Sequence, residues 1–145
     1  MSLIVIKPGL QSTIQDLGRY NYSHFGISAS GAADPLSLKI GNLIIGNKES
    51  ASAIEMTILG GEFQFDSECS IAISGSEFEA SLDNNIITNQ IAINVKKGQI
   101  LSFGQTKTGA RAYLCVQGGI NVDNYLSSKS THILSGIGGY LGRPI

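Results

Sequence analysis

One segment of this sequence, residues 34–46, carries the signals of an α-helix, and most of the rest is typical of strands and turns. Asp34 can cap the first turn with its carboxylate, and Pro35 fits the first helical position because its missing N–H would have no partner there. Gly46 can end the helix in the left-handed conformation. Four apolar residues at helical spacing predict the face that packs on a core: Leu36, Ile40, Leu43 and Ile44.

From Ile54 onwards the sequence consists of short apolar or alternating runs separated by turn residues. One such break, Asp83-Asn84-Asn85, predicts a hairpin turn, because Asn and Asp tolerate positive φ. With an initial strand at residues 3–7, the pattern gives about eight or nine strands. The predicted fold class is therefore mainly β with one main α-helix. A closed or nearly closed barrel would accommodate these strands without leaving unpaired edges.

The composition sets limits on function. A length of 145 residues suits a single domain, and the 14% of charged residues with a net charge of −1 argue against a nucleic-acid surface. The apolar runs are too short for a signal peptide or a membrane span, which predicts a cytoplasmic protein that does not bind membranes. Cys69 and Cys115 lack metal-site spacing and are predicted to be reduced core thiols, with a disulfide between them as the alternative, and we expect no metal site.

Two neighbouring segments form the candidate anion site. Residues 28–33 are small, so their backbone can approach a ligand and present N–H groups at the positive end of the helix. Residues 10–20 have no sustained hydrophobic period and are predicted to be a loop that carries Asp16 and Arg19. These two side chains form either a local ion pair or a site in which the guanidinium binds a carboxylate or phosphate.

Three residues are candidates for proton transfer. His24 lies between Tyr22 and Phe25 and is either a packed residue or a catalytic one, with His132 as a weaker candidate. Glu55 lies within an apolar-flanked strand, where it either faces solvent or points into a cleft near Asp34 as a general acid or base.

Ordered motifs along most of the chain resemble the allophanate hydrolase subunit 2 family. This family includes the C subunit of 5-oxoprolinase, the KipI-antagonist proteins and a carboxyltransferase subdomain of urea carboxylase. The resemblance rests on residues 11–19 (QSTIQDLGR), Gly26, residues 30–35 (SGAADP), 41–47, 53–60, 109–119 and 128–143.

The resemblance implies a cyclophilin-like β-barrel in which residues 1–145 form a single domain, the N-terminal half of a longer family protein. It also implies a component of an ATP-dependent 5-oxoprolinase, which converts 5-oxoproline to glutamate, or of a related biotin-dependent carboxyltransferase or urea amidolyase complex. Such a hydrolase or carboxyltransferase subunit would be inactive as this isolated fragment. The alternative is a non-catalytic regulatory module of the KipI-antagonist type.

The same resemblance implies partners and site residues. The partners would be an allophanate hydrolase subunit 1 or KipI-type protein (the B subunit of 5-oxoprolinase) and a LamB/YcsF-type subunit, with ATP or carboxybiotin supplied by partner proteins and no covalently bound cofactor. The motif positions provide two groups of candidates. The catalytic candidates are His24, Asp34 and Glu55, and the substrate- or anion-binding candidates are Arg19, Ser30, Gly31 and Arg111.

Overall fold

The computed structural model describes residues 2–145 and contains one antiparallel sheet of eight strands with one α-helix, α1 (Pro35–Ile44). The predicted mainly β fold with one main helix is confirmed. Two short 3₁₀ helices lie at Ser23–Phe25 and Ile133–Ser135. The strands are β1 (Leu3–Lys7), β2 (Ser12–Gln15), β3 (Ala53–Thr57), β4 (Glu62–Phe65), β5 (Cys69–Leu82), β6 (Asn85–Ile86), β7 (Ile93–Val95) and β8 (Ile100–Val116).

The long pair β5 and β8 forms the centre of the sheet. The other edge of β8 pairs with β4 near its start and with β3 near its end, while β1 adds to β4 and β2 adds to β3. The sheet curls into a half-barrel whose outer strands on this side are β1 and β2. The sequence predicts a break at Ser74-Gly75, but β5 continues through it. A bulge next to Gly75, which has φ of +89°, absorbs the irregularity.

The two faces of the sheet bury different side chains. One face carries the main apolar core, which includes Phe63, Phe65 and Leu114, and the opposite face packs against α1 through a smaller cluster that includes Leu38 and Tyr113. Residues alternate between these faces along each strand. Consecutive residues of β3 and β8 therefore belong to different environments.

The helix begins as predicted but packs through a different face. The Asp34 carboxylate accepts a hydrogen bond from the backbone N–H of Ser37 at 3.1 Å, which confirms the N-cap. The predicted packing face is wrong for Leu36, Ile40 and Leu43, which are 67%, 40% and 60% exposed, and is confirmed only for Ile44, which packs against the smaller cluster. Leu38 and Gly41 are buried instead. The helix lies so close to the sheet that a Cβ at Gly41 would be 2.4 Å from the Ser74 hydroxyl oxygen. The face with the smallest residue therefore packs on the sheet.

Residues 12–15 form strand β2, so the predicted loop over residues 10–20 is wrong there. The predicted hairpin turn is confirmed: Leu82 pairs with Asn85, and Asp83 and Asn84 between them have φ of 48° and 66°.

Cys69 and Cys115 are free and buried, as predicted for core thiols. Burial raises the pKa of the Cys115 thiol to about 12. Within residues 2–145, no helix combines the length and the hydrophobicity that a membrane crossing requires.

Candidate functional site

A row of polar side chains crosses three strands on the face that carries α1. Glu55 of β3 lies opposite Thr13 of β2 on one side and opposite Tyr113 of β8 on the other. Side chains two residues away along a strand share this face, so Gln15 and Arg111 extend the row diagonally in opposite directions, Gln15 opposite Ala53 and Arg111 opposite Thr57. The row begins where the N-terminus of α1 meets the sheet.

The Glu55 carboxylate is held by one of its two oxygens. Oε2 accepts hydrogen bonds from the backbone N–H of Ala33 at 2.8 Å and from the Tyr113 hydroxyl at 2.7 Å. The Tyr113 hydroxyl in turn accepts from the N–H of Asp34 at 2.8 Å. Burial raises the pKa of Tyr113 well above its usual range, and the hydrogen bond to Glu55 adds to this effect. Tyr113 therefore stays protonated and keeps donating to Glu55.

The second oxygen of Glu55 faces Arg111. Oε1 lies 3.5 Å from Nε of Arg111, and this Nε is buried without a hydrogen-bond partner among residues 2–145. Gln15 presents a second buried atom of this kind, since its Oε1 also lacks a partner in the described chain. Buried polar atoms are nearly always hydrogen-bonded, so two unpartnered atoms in one row indicate a place where a ligand binds.

Two loops convert this row into a cleft of about 260 Å³. One loop precedes α1, and the other follows Ser130 and includes the 3₁₀ helix Ile133–Ser135. The lining residues are Gln11, Thr13, Gln15, Ser30, Gly31, Glu55, Thr57, Arg111, Thr131, His132, Ile133 and Leu134. Four of the seven predicted site residues thus lie together: Ser30, Gly31, Glu55 and Arg111.

The loop before α1 is fixed to the end of β2. The N–H of Ala32 donates to the Asp16 carbonyl oxygen at 2.9 Å, and the N–H of Arg19 donates to the Ala29 carbonyl oxygen at 2.8 Å. Gly31 has φ of +95°, and a Cβ there would lie 2.9 Å from the Leu17 carbonyl carbon. A larger residue would push the loop away from this contact and disturb the wall of the cleft.

Arg19 lies behind this wall, because its residue is only 2% exposed. Its guanidinium donates to the Ser30 hydroxyl at 3.0 Å and to the carbonyl oxygens of Ser130 and Tyr125. The neighbouring carboxylate of Asp16 accepts from the N–H groups of Gly18 and Lys129 and from two serine hydroxyls. An anion could reach Arg19 only by displacing these bonds. The predicted anion-binding role of Arg19 stays a prediction that this placement does not favour.

The remaining two predicted residues lie outside the cleft. His24 is exposed on the first 3₁₀ helix, with its ring centroid 4.0 Å from that of Phe25. Asp34 uses its carboxylate to cap α1 through Ser37, and these hydrogen bonds lower its pKa. Of the two histidines, His132 rather than His24 lines the cleft. No group of three or more potential metal ligands occurs within residues 2–145.

Several residues of the site were not identified from the sequence, above all Thr13 and Gln15 of the cleft and Tyr113 of the polar row. A signal for the first two exists in the alternation of Gln11, Thr13 and Gln15, which has the period of two of a strand. The position of Tyr113 opposite Glu55 depends on strand register, which the local sequence does not reveal.

This fold and cleft place the chain in a known class of domain. The model of the "Carboxyltransferase domain, subdomain A and B" matches residues 25–145, and the protein belongs to this family. The resemblance inferred from the motifs is thereby confirmed.

Named relatives agree with this assignment. The chain is 42% identical over 140 residues to the urea amidolyase of Lachancea kluyveri, a match that covers 96% of this chain and 8% of the relative. It is 41% identical over 133 residues to the 5-oxoprolinase C subunit of Haemophilus influenzae, covering 92% and 43%. The crystal structure of the Kluyveromyces lactis urea carboxylase is similar with a TM-score of 0.97 at 38% identity, covering 99% and 13%. The chain thus spans less than half the length of these relatives.

Proposed function

We propose that this chain supplies part of the active site of an enzyme complex that acts on a small amide, of the 5-oxoprolinase or urea carboxylase type. The observation that carries this proposal is the ion pair in the cleft between Oε1 of Glu55 and Nε of Arg111, which lie 3.5 Å apart while this Nε has no hydrogen-bond partner among residues 2–145. The names of the relatives support it, since these are urea amidolyase and the C subunit of 5-oxoprolinase.

In this function Glu55 is the proton acceptor. A urea nitrogen that takes up a carboxyl group must lose a proton, and so must a water molecule that attacks the lactam carbonyl of 5-oxoproline. Oε1 of Glu55 is free to take that proton, because Oε2 alone holds the bonds to Ala33 and Tyr113. Arg111 binds the oxygen of the substrate, where a positive charge stabilises the negative charge that develops on it.

The cofactors that the resemblance implies are ATP and carboxybiotin. The cleft of about 260 Å³ is below the usual size of cofactor pockets, and Arg111 is its only lining Lys or Arg side chain within residues 2–145. These residues do not fit a nucleoside triphosphate, so we derive no step through ATP. ATP and carboxybiotin would act at sites provided by partner proteins.

The outer face of α1 supports a role for a protein partner. Leu36, Ile40 and Leu43 recur at helical spacing and are all exposed, which leaves an apolar stripe on the side of the helix away from the sheet. Such a stripe on a helix surface is typical of a face that another protein covers. We propose a subunit 1-type protein as this partner.

The test uses the full-length protein together with its subunit 1-type partner. We expect Glu55→Gln to lower kcat for 5-oxoproline or urea by about 10²- to 10⁴-fold, as for loss of a general base. The matched control is Glu62→Gln, because Glu62 lies on β4, outside the cleft, and pairs with Lys7. Failure of the wild-type complex to turn over either substrate would refute the proposal, and so would normal activity of Glu55→Gln.

The apolar stripe also favours a second candidate, a regulatory module that binds a partner without catalysis. In that case Leu43→Lys would abolish partner binding, whereas Glu55→Gln would leave the regulatory effect of binding intact. Ile86→Lys is the control for surface charge, because Ile86 is exposed on β6, away from α1. If the Glu55→Gln protein still binds the partner but no longer exerts the regulatory effect, this alternative is excluded.

A further inference from the structure

Gln15 is a buried side chain whose orientation is fixed by its neighbours. It is 6% exposed, and its Nε2 donates to the Thr131 carbonyl oxygen at 3.2 Å and to the Thr13 hydroxyl at 3.0 Å. A carbonyl oxygen can only accept, so the NH₂ group must face Thr131. The other end of the amide, Oε1, therefore points elsewhere as an acceptor.

This acceptor has no donor in the protein. Oε1 of Gln15 is buried and lacks a hydrogen-bond partner among residues 2–145, although the residue lines the cleft. Leaving a buried acceptor unsatisfied destabilises a folded protein, and the penalty disappears when a ligand supplies the missing donor. The group that satisfies it must carry an N–H or O–H.

Arg111, at the other end of the row, has a buried N–H that needs an acceptor. This donor, Nε of Arg111, forms an ion pair with Glu55 at 3.5 Å but has no hydrogen-bond partner among residues 2–145, and the Thr13 and Glu55 side chains lie between it and Gln15. The two atoms need ligand groups of opposite kind, a donor for Gln15 and an oxygen for Arg111. Amide, lactam and ureido substrates, the class of the function proposed above, carry the N–H that Gln15 needs, whereas an ester or a lactone lacks it.

Building on the function proposed above, we infer that Gln15 is a specificity-determining residue whose Oε1 accepts a hydrogen bond from the N–H of the substrate's amide, lactam or ureido group. Sites that hydrogen-bond a substrate N–H reject analogues without it strongly, because the protein atom is then left unpaired. Gln15 would thus select amides over oxygen analogues of the same shape.

The experiment compares 5-oxoproline with the corresponding lactone, in which oxygen replaces the ring N–H. Binding of both is measured with the full-length protein and its partner. We expect the wild type to prefer the lactam on the order of ten- to a hundredfold, the cost of one unsatisfied buried acceptor. Gln15→Met, which keeps the length but removes the acceptor, should weaken lactam binding and leave lactone binding unchanged. Gln64→Met is the matched control, since Gln64 lies on β4 and its Nε2 likewise donates to a backbone carbonyl, that of Gly98.

Equal loss of lactam and lactone binding in Gln15→Met would mean a purely structural role and would overturn the inference. A wild-type protein without preference for the lactam would overturn it as well, even if the variant failed to fold.

A second arm separates this inference from the proposed function. If the complex turns over neither 5-oxoproline nor urea, crystals of the full-length protein are soaked with 2-pyrrolidinone or with γ-butyrolactone. A lactam nitrogen within hydrogen-bond distance of Gln15 Oε1, with no lactone at that position, would support the specificity of Gln15 although the reaction had been assigned wrongly. Binding of both compounds, binding elsewhere or binding of neither would refute it.

Discussion

Strands β1 and β2 are the two outer strands on one side of the sheet, yet β1 is apolar and exposed whereas β2 is mostly polar and buried. Ile4 on β1 is 49% exposed, and Ser12 on β2 is fully buried. The free edge of β2 is covered, because the N–H groups of Thr131 and Ile145 donate to its carbonyl oxygens. Among residues 2–145, β4 is the only strand that pairs with β1.

The difference shows that different interactions hold the two strands in place. Strand β1 pairs with β4, where Leu3 and Val5 lie opposite Phe65 and Phe63, and Leu3 packs against the apolar core. Strand β2 depends on hydrogen bonds to a segment more than 100 residues later, such as the bond between Gln15 and Thr131, which are 116 residues apart. The strand with the more specific interactions is also the one that lines the cleft.

The largest expected effect comes from breaking the polar network at the end of β2. We expect Asp16→Ala to destabilise the protein by about 3–5 kcal/mol, because two backbone N–H groups and two serine hydroxyls lose their acceptor at once. Urea unfolding would measure this change. Asp123→Ala is the control, since Asp123 is exposed. A loss as small as that of the control would show that the network does not stabilise β2.

Acid should weaken the same network. Burial alone would raise the pKa of Asp16, but hydrogen bonds from Ser130, Lys129, Ser128 and Gly18 outweigh it, and the pKa lies below the usual value of 3.8. The folded state therefore binds this proton less well than the unfolded state. The stabilisation is fully present above about pH 4 and is lost as the pH falls through the folded pKa.

Unfolding experiments on the wild type and Asp16→Asn between pH 6 and pH 2 would test this dependence. The difference in the free energy of unfolding between the two proteins should shrink as the pH falls. A difference that stayed constant would contradict the lowered pKa.

An intermediate effect is expected where the polar row meets α1. Tyr113→Phe should destabilise the protein by about 1–3 kcal/mol, because the buried N–H of Asp34 and Oε2 of Glu55 each lose a partner. Tyr20→Phe serves as the control, as the Tyr20 hydroxyl donates to the Leu17 carbonyl oxygen at an exposed site. Equal effects of the two substitutions would mean that burial does not increase the stabilisation that the hydrogen bonds of Tyr113 provide.

The same contrast explains how much the sequence could predict. Strand β1 and the cap at Asp34 follow from local patterns, since hydrophobic alternation and capping act over a few residues. For strand β2 the only local signal is the weak alternation of Gln11, Thr13 and Gln15, and nothing in this polar segment indicates that a distant segment buries it. The predicted helix face was wrong for a related reason: the close approach at Gly41 outweighed the apolar spacing of Leu36 and Leu43.

Within the candidate site, sequence motifs located Ser30, Gly31, Glu55 and Arg111 but not their mutual arrangement. Strand register brings Glu55 of β3 next to Arg111 of β8, and register depends on pairing across the whole sheet. Gln15 has no unusual sequence context, so its unpartnered oxygen becomes evident only when the neighbouring atoms are known.

The smallest effect is expected on β1. Ile4 lies opposite Gln64 and faces away from the core, so Ile4→Thr should change the free energy of unfolding by about 0.5 kcal/mol or less. The identical substitution at Ile14 of β2, which is 3% exposed, should destabilise by about 2 kcal/mol or more, because it replaces a buried ethyl group with a hydroxyl. The two substitutions are chemically identical, so the difference between their free energies of unfolding measures the effect of burial. A loss at Ile4 as large as that at Ile14 would mean that the outer face of β1 is covered in solution, and the contrast between the two strands would then reflect a missing partner.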